Sequence, residues 1–215
     1  MKPHILFRKR QVLFPTVWGW LLISSIIALS FWGTLKFSHS FLAVSEPVNG
    51  EIMVVEGWIP DFAMKEAARR FSDGDYRFIA VTGGPLDQGS YLKEHRNYAQ
   101  LGVATFSRLG IADSLLVAVS APAVSKDRTH TSAVALKRWL EKTGSEVRSL
   151  DLYSFDAHSR RSALLFRRAL GKEYEIGVIA LPDLSYDSSN WWRTSMGFRM
   201  VMGEIIAYAY ALIHP

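Results

Sequence analysis

Short apolar runs alternate with helical patterns through most of this chain, and that alternation limits the folds open to it. Five runs rich in Val, Ile and Leu are typical of strands: 51–55, 77–81, 115–119, 147–155 and 175–181. Helical spacing follows each of them: 61–71, 90–109, 131–143, 157–170 and 191–212. Strands separated by helices of this length form parallel sheets through right-handed crossovers. We therefore expect an α/β fold, a Rossmann-like open parallel sheet of about five strands with helices on both faces.

An uncharged segment precedes this pattern and is long enough for one membrane-spanning helix (residues 11–35). Arg8, Lys9 and Arg10 come before it and only Lys36 follows closely, so the positive-inside rule places the N-terminus in the cytoplasm. We predict a cytoplasmic tail (1–10), a single-pass anchor in the inner, cytoplasmic membrane (11–36), a linker (37–49) and an extracytoplasmic α/β domain (50–215). A cleaved signal peptide is the alternative, with "FLAVS" as its cleavage region.

The composition excludes two classes of function. Of the 25 Lys and Arg residues, five lie within residues 1–36, and the other twenty balance twenty Asp and Glu. A nucleic-acid binder carries its positive charge on the folded domain itself, so we expect no nucleic-acid partner. The chain has no cysteine, which excludes disulfides, thiol nucleophiles and thiolate metal sites.

The last helical segment is apolar enough to resemble a second membrane span. Arg199 and Glu204 lie within it, however, and an ionised group at bilayer depth is costly. We therefore expect this helix to pack on the sheet, with a position on the membrane surface as the alternative.

Polar residues follow the predicted strands, where ligands bind in open parallel sheets. Candidate site residues after the first and second strands are Glu56, Gly57, Trp58, Thr82, Gly83 and Gly84. Those after the third and fourth strands are Asp127, Arg128, His130, Thr131, His158 and Arg161. We expect these loops to converge on one anion-binding mouth.

The glycine pair and the third helix both suggest anion binding. Thr82, Gly83 and Gly84 predict a backbone nest for an anion, with an ordinary turn as the alternative. Arg128 and His130 stand at a helix N-terminus, which favours negative charge. Thr129 or Thr131 is expected to cap that helix.

His158 and Arg161 fall in the first turn of the next helix, where cations oppose the helix dipole. A bound anion would offset this, and pairing of an arginine with Asp156 or Asp127 is the alternative. His158 is the best candidate general acid or base, with Asp127 or Glu56 orienting it or acting as base. No metal is expected, because Asp127, His130 and His158 lack a metal-site spacing. Without a glycine fingerprint, no cofactor is expected either.

Several of these motifs together resemble the YdcF-like family, a domain of unknown function to which SanA and ElyC belong. The resemblance covers about residues 50–210 and rests on "VVEGWIPD", "VTGGP", "DRTHTSA", "HSRRS" and "WWR…GE". His158 and Arg161 match the family's His-x-x-Arg. At the third helix Thr131 and Ala135 match, whereas Ala133 and Val134 stand where the family has Glu-Asn.

The resemblance implies a Rossmann-like domain, often membrane-anchored. Some members are tied to cell-envelope integrity and to polyprenyl-phosphate or peptidoglycan-precursor metabolism. We therefore expect an envelope protein that binds a phosphorylated or anionic ligand, such as a polyprenyl phosphate or an envelope-polysaccharide precursor. Hydrolysis or transfer of a phosphate ester is the natural reaction for the candidate residues. The alternative is a non-catalytic assembly or ligand-sensing module with envelope protein partners.

Overall fold

A five-stranded, all-parallel sheet forms the centre of the computed structural model, which describes residues 13–87 and 94–214. The strand order is β3-β2-β1-β4-β5. The strands are β1 (Ile52–Glu56), β2 (Ile79–Gly83), β3 (Leu116–Ser120), β4 (Ser149–Phe155) and β5 (Glu175–Leu181). The predicted fold class is confirmed.

Helices cover both faces of the sheet, as predicted. The helices of the described residues are α1 (Val17–Leu42), α2 (Asp61–Asp73), α3 (Tyr98–Arg108), α4 (Arg128–Lys142), α5 (Ser159–Leu170) and α6 (Ser195–Ile213), and α2 to α5 are the ones that pack on the sheet. Helices α2 and α3 contribute to one apolar core, and α4 and α5 contribute to the other. Helix α6 packs against α5 rather than directly on a strand.

Strand β1 shows why the strands are continuous apolar runs. Met53 and Val55 belong to the core under α2 and α3, whereas Ile52 and Val54 belong to the core under α4 and α5. Successive side chains of a strand point to opposite faces, so a strand covered on both sides must be apolar throughout.

Glycine ends three of the helices where the sequence predicts it. Gly110, Gly144 and Gly171 have φ values of 93°, 62° and 88°, in the region that an L side chain disfavours. These three predictions are confirmed.

The predicted helix starts are less accurate. Helix α3 begins at Tyr98 because the Asn97 side chain caps it, accepting from the Gln100 N–H at 2.9 Å. Residues 90–93 of the predicted helix lie outside the described residues. The prediction that Thr129 or Thr131 caps α4 is wrong. The N-cap is Asp127, with a left-handed backbone (φ 59°), and the Thr131 hydroxyl donates to the Asp127 carbonyl.

The chain divides into two compact units, Met1–Phe37 and Ser38–Pro215. Helix α1 begins in the first unit, and its last five residues belong to the second. Helix α1 is long and apolar enough to cross a membrane, and α6 satisfies the same criteria of length and composition.

The segment predicted as a linker, 37–49, packs on the α/β unit from Ser38 onward. Leu42 is buried, and Glu46 pairs with Val178 in antiparallel fashion along the outer edge of β5. The Val48 and Gly50 N–H groups donate to the buried Asp151 carboxylate at 2.8 and 2.9 Å. The segment stays ordered because it covers a sheet edge and satisfies a buried charge.

Candidate functional site

The connection from β3 to β4 reverses the direction in which strands are added to the sheet and so defines a topological switch point between β1 and β4. The chain passes outward from β1 to β2 and β3, and then returns to place β4 on the other side of β1. Loops on either side of this reversal diverge, so the carboxyl ends of β1 and β4 border the switch point where open α/β sheets bind ligands.

Glu56 is the last residue of β1 and stands at this switch point with 2% of its surface exposed. Its carboxylate accepts hydrogen bonds from the Ser154 hydroxyl on β4 and from the Ser162 hydroxyl on α5. Burial raises the pKa of Glu56, but the charge of His158 and these hydrogen bonds lower it by more than burial raises it. The net pKa is below the ordinary value for a glutamate. The carboxylate is therefore ionised at neutral pH.

His158 lies between two carboxylates in the short 3₁₀ turn Asp156–His158 that links β4 to α5. Its Nδ1 is 2.9 Å from Oε1 of Glu204, and its Nε2 is 3.6 Å from Oε1 of Glu56. Burial alone lowers the pKa of His158, but the two carboxylates outweigh burial and raise the pKa to about 9. With this pKa His158 is protonated at neutral pH, so the Arg161 Nη2 that lies 2.8 Å from its Nδ1 is a second cation beside it, held there by Glu204, rather than a hydrogen-bond donor to it.

Glu204 of α6 also binds Arg161 through two parallel hydrogen bonds. The Arg161 Nε donates to Oε2 at 2.8 Å, and Nη2 donates to Oε1 at 3.0 Å. Burial raises the pKa of Glu204, whereas hydrogen bonds from His158 and Arg161 lower it to about 2. The anion expected beside the first turn of α5 is thus supplied by the chain itself.

The Nε2 atom of His158 is the one conspicuous defect in this network. It is buried and has no hydrogen-bond partner among the described residues, since 3.6 Å exceeds a hydrogen-bond length. Leaving a buried donor unpaired costs about 1–3 kcal/mol, so an orphaned group in a native structure calls for an explanation such as a functional role.

Aromatic residues cover this imidazolium and connect it to a pocket. The Trp58 ring meets His158 edge-on, with ring centroids 4.9 Å apart, and also packs on Phe155. Phe62 also packs against Phe155 and lines a pocket of about 450 Å³ between α2 and the end of β5. Ring contacts from His158 through Trp58, Phe155 and Phe62 thus lead towards this pocket, which combines apolar and charged side chains: Phe62, Ala63, Lys65, Glu66, Arg69, Arg70, Leu181, Pro182 and Leu184.

The remaining predicted residues gather at the carboxyl ends of β2 and β3. Gly84 and Arg128 line a pocket of about 350 Å³ there. The Arg128 Nη1 donates to both carboxylate oxygens of Asp87, at 2.7 and 2.8 Å, so its charge is already paired. Asp127, His130 and Thr131 belong to the start of α4, which follows β3, and the predicted catalytic partner Asp127 does not contact His158.

Two of the glycines, together with the buried Thr82, serve packing. A Cβ added to Gly57 would lie 2.4 Å from the Tyr98 carbonyl oxygen, and one added to Gly83 would lie 2.6 Å from the Tyr98 Cβ. These glycines let α3 approach the sheet closely. Gly84 is more open, with its nearest neighbours 3.7 Å or more from an added Cβ, and it faces the β2–β3 pocket.

Within residues 13–87 and 94–214, no group of three or more His, Asp or Glu side chains is arranged to hold a metal ion. The residues considered for such a site are separated: Asp127 and His130 follow β3, whereas His158 is held between Glu56 and Glu204.

Sequence reasoning did not identify three members of the His158 network: Ser154, Ser162 and Glu204. The serines gave no signal, because hydroxyls are common on strands and helices. Glu204 did give one, since a single acid within an apolar helix requires a partner when the helix is buried. In the sequence Glu204 counts against a membrane span and belongs to the "WWR…GE" motif, but neither observation marks it as a site residue.

The chain matches no protein-family model, and no curated protein is similar to it at a significant level. Its function therefore has to be inferred from the side chains at the switch point.

Proposed function

We propose that this chain is a membrane-anchored cell-envelope protein with an extracytoplasmic, YdcF-like domain. The domain binds a phosphorylated ligand at the β1–β4 switch point and hydrolyses or transfers its phosphate ester, with His158 as the proton donor. The single observation that supports this proposal is the buried Nε2 of His158, which faces the Glu56 carboxylate at 3.6 Å but has no hydrogen-bond partner among the described residues, in a histidine whose pKa is raised to about 9.

An ester oxygen is the partner that this donor lacks. Nδ1 is committed to Glu204, so Nε2 is the nitrogen left for a ligand. A charged N–H donor forms its strongest hydrogen bonds with anionic oxygens. Arg161 supports the same ligand, because two of its five N–H groups bind Glu204 and its side chain remains partly exposed.

The reaction that fits this arrangement is a displacement at phosphorus. The oxygen of water, or of an acceptor alcohol, forms the new bond to phosphorus and gives its proton to solvent. The bond from phosphorus to the departing alcohol breaks, and the departing oxygen takes the Nε2 proton of His158. Solvent then reprotonates His158, which its pKa favours below about 9.

The envelope location is supported by the charge distribution. Basic residues precede the apolar run of α1, and Lys36 alone follows it closely. Reporter fusions at the C-terminus test this topology: a reporter active only outside the cytoplasm agrees with it, and one active in the cytoplasm contradicts it.

Ligand binding is tested with the full chain in lipid nanodiscs, using a long-chain alkyl phosphate, a sugar phosphate and a nucleotide as probes. A phosphate that binds the folded state raises its melting temperature by mass action. We expect Arg161→Ala to abolish that shift. We expect His158→Gln to keep the shift but to lower phosphate release about 100-fold or more, the usual share of a general acid.

Arg128→Ala is the matched control, because it removes an arginine from the other pocket on the same edge. Binding and phosphate release should stay at the wild-type level in this variant. If Arg128→Ala abolishes binding while Arg161→Ala does not, the ligand occupies the β2–β3 pocket and the proposed site is wrong.

A non-catalytic binding module is the second candidate, favoured by the pairing inside the cluster. Glu56 accepts two hydroxyl hydrogen bonds and Glu204 binds both cations, so the network is complete but for Nε2. This candidate expects His158→Gln to retain full function in cells while Arg161→Ala loses it. Equal loss in both variants favours the enzyme.

A further inference from the structure

The chain enters the α/β unit at the same edge of the sheet that carries His158. His39, in the last turn of α1, places its Nε2 3.1 Å from both carboxylate oxygens of Asp156, directly after β4. The Tyr186 hydroxyl donates to the same carboxylate. Leu42, the last residue of α1, is buried, and its carbonyl accepts a hydrogen bond from the Ser159 hydroxyl. The entry point is therefore fixed to the carboxyl ends of the strands.

Few residues separate this entry point from the apolar run of α1. Lys36 is the first charged residue after that run, and His39 follows it by three positions. Three residues reach at most about 10 Å even when fully extended. In a chain anchored through α1, the Cα atom of His39 therefore lies within about 10 Å of that of Lys36, and Asp156 lies one side-chain contact beyond His39.

Exposed apolar and basic side chains lie in the connection from β5 to α6 and in the first turns of α6. We call Leu184, Arg193, Met196, Phe198 and Arg199 the rim patch, and all five are exposed. The exposed fractions of Leu184 and Phe198 are 72% and 49%. Grouped exposed apolar side chains with polar neighbours are typical of interaction surfaces.

The rim patch is tied to the entry point by direct packing. Tyr186, which bonds Asp156 and lies against His39, also packs on Gly197 at the start of α6. Leu184 is two residues before Tyr186, in the loop that follows β5. The rim patch is thus connected through Tyr186 to the entry point at His39 and Asp156.

We infer that the carboxyl edge of the sheet faces the bilayer, with the rim patch seated among anionic lipid head groups. Apolar and aromatic side chains bind at the acyl boundary, and arginines beside them attract anionic lipids. This inference rests on the proposed anchor but not on any catalytic activity. Its consequence for the proposed function is that His158 is presented to ligands carried in the membrane.

The test uses single-cysteine variants, which the cysteine-free sequence permits. Leu184→Cys and Phe198→Cys report on the rim patch. Lys172→Cys, between α5 and β5, is exposed at the opposite edge of the sheet and serves as the control. Each full-length variant is labelled with a fluorophore and placed in nanodiscs of phosphatidylcholine and phosphatidylglycerol that contain a lipid with a nitroxide head group. All three positions are exposed, so melting temperatures should stay at the wild-type value.

We expect the nitroxide lipid to quench the two rim labels about twofold more than the Lys172→Cys label, as for side chains seated at an interface. Aqueous iodide should show the opposite order. Equal quenching of all three labels would overturn the inference. A fourth label, at Ile213→Cys, tests the far end of α6: stronger quenching there than at the rim labels would place that end on the lipid and would also overturn the inference. A rim label shielded from both quenchers would indicate a protein partner and would also overturn it.

Resistance to carbonate extraction tests the anchor separately. In a chain that is extracted, the anchor itself has failed and the inference fails with it. In a chain that resists extraction but shows iodide-accessible rim labels, only the orientation is wrong, and the proposed ligand site still stands for its own test.

Discussion

Replacing Glu56 with glutamine is expected to lower the free energy of unfolding by about 3–5 kcal/mol, the usual effect of removing one partner from a buried ion pair. The amide keeps the shape of the side chain but leaves His158 with one carboxylate instead of two. The Ser154 and Ser162 hydroxyls also lose the charged acceptor that they share. Denaturant unfolding of the full chain in detergent, followed by tryptophan fluorescence, measures the change.

Glu173→Gln is the matched control for this variant. Glu173 pairs with Lys137 at 2.9 Å, but more than half of its side chain is exposed. An exposed ion pair contributes little to stability because solvent screens it, so this change should barely alter the free energy of unfolding. If Glu56→Gln is as mild as the control, the network at the switch point does not hold the charges described above.

Raising the pH is expected to destabilise the protein through the same network. The pKa of folded His158 is about 9, above its ordinary value of 6.5. Its contribution is therefore fully present below pH 6.5 and is lost as the pH rises through 9. The difference corresponds to roughly 3 kcal/mol. The charged groups that face this imidazole come from three elements: Glu56 of β1, Arg161 of α5 and Glu204 of α6.

Comparison with His158→Gln isolates this effect from other titrations. The variant will be less stable at every pH because it leaves two carboxylates without their shared cation, so the slope between pH 6.5 and 9 is the informative quantity. We expect a steep loss of stability in the wild type and a nearly flat profile in the variant. Parallel profiles would show that another group is responsible.

Most of the sheet was predictable because its signal is local. Each strand is an apolar run buried on both faces, and the glycines that end three helices follow from backbone sterics alone. Strand order carries no such local signal, since it depends on which crossovers pack together. The predicted cap of α4 is wrong because the helix begins after Asp127, which adopts a left-handed backbone, and no neighbouring residue in the sequence indicates that conformation.

The candidate site was predictable only in part. Glu56, Trp58, His158 and Arg161 each follow a predicted strand, and the structure places them together because parallel strands end at the same edge of the sheet. The carboxylate that pairs with His158 and Arg161 belongs to Glu204, which lies 43 residues beyond Arg161 in the chain. This contact is purely tertiary. The same limit applies to His39, whose bond to Asp156 joins positions 117 residues apart.

The protonation state of His158 can be measured directly. Histidine-selective ¹⁵N labelling of the full chain in nanodiscs reports whether both ring nitrogens carry protons, and His158→Gln identifies the resonance among six histidines. We predict that both nitrogens of His158 are protonated at pH 7 and that the ring titrates near pH 9. A ring that titrates near its ordinary 6.5, or that is neutral at pH 7, would contradict the proposal that His158 presents a proton to a ligand at the switch point.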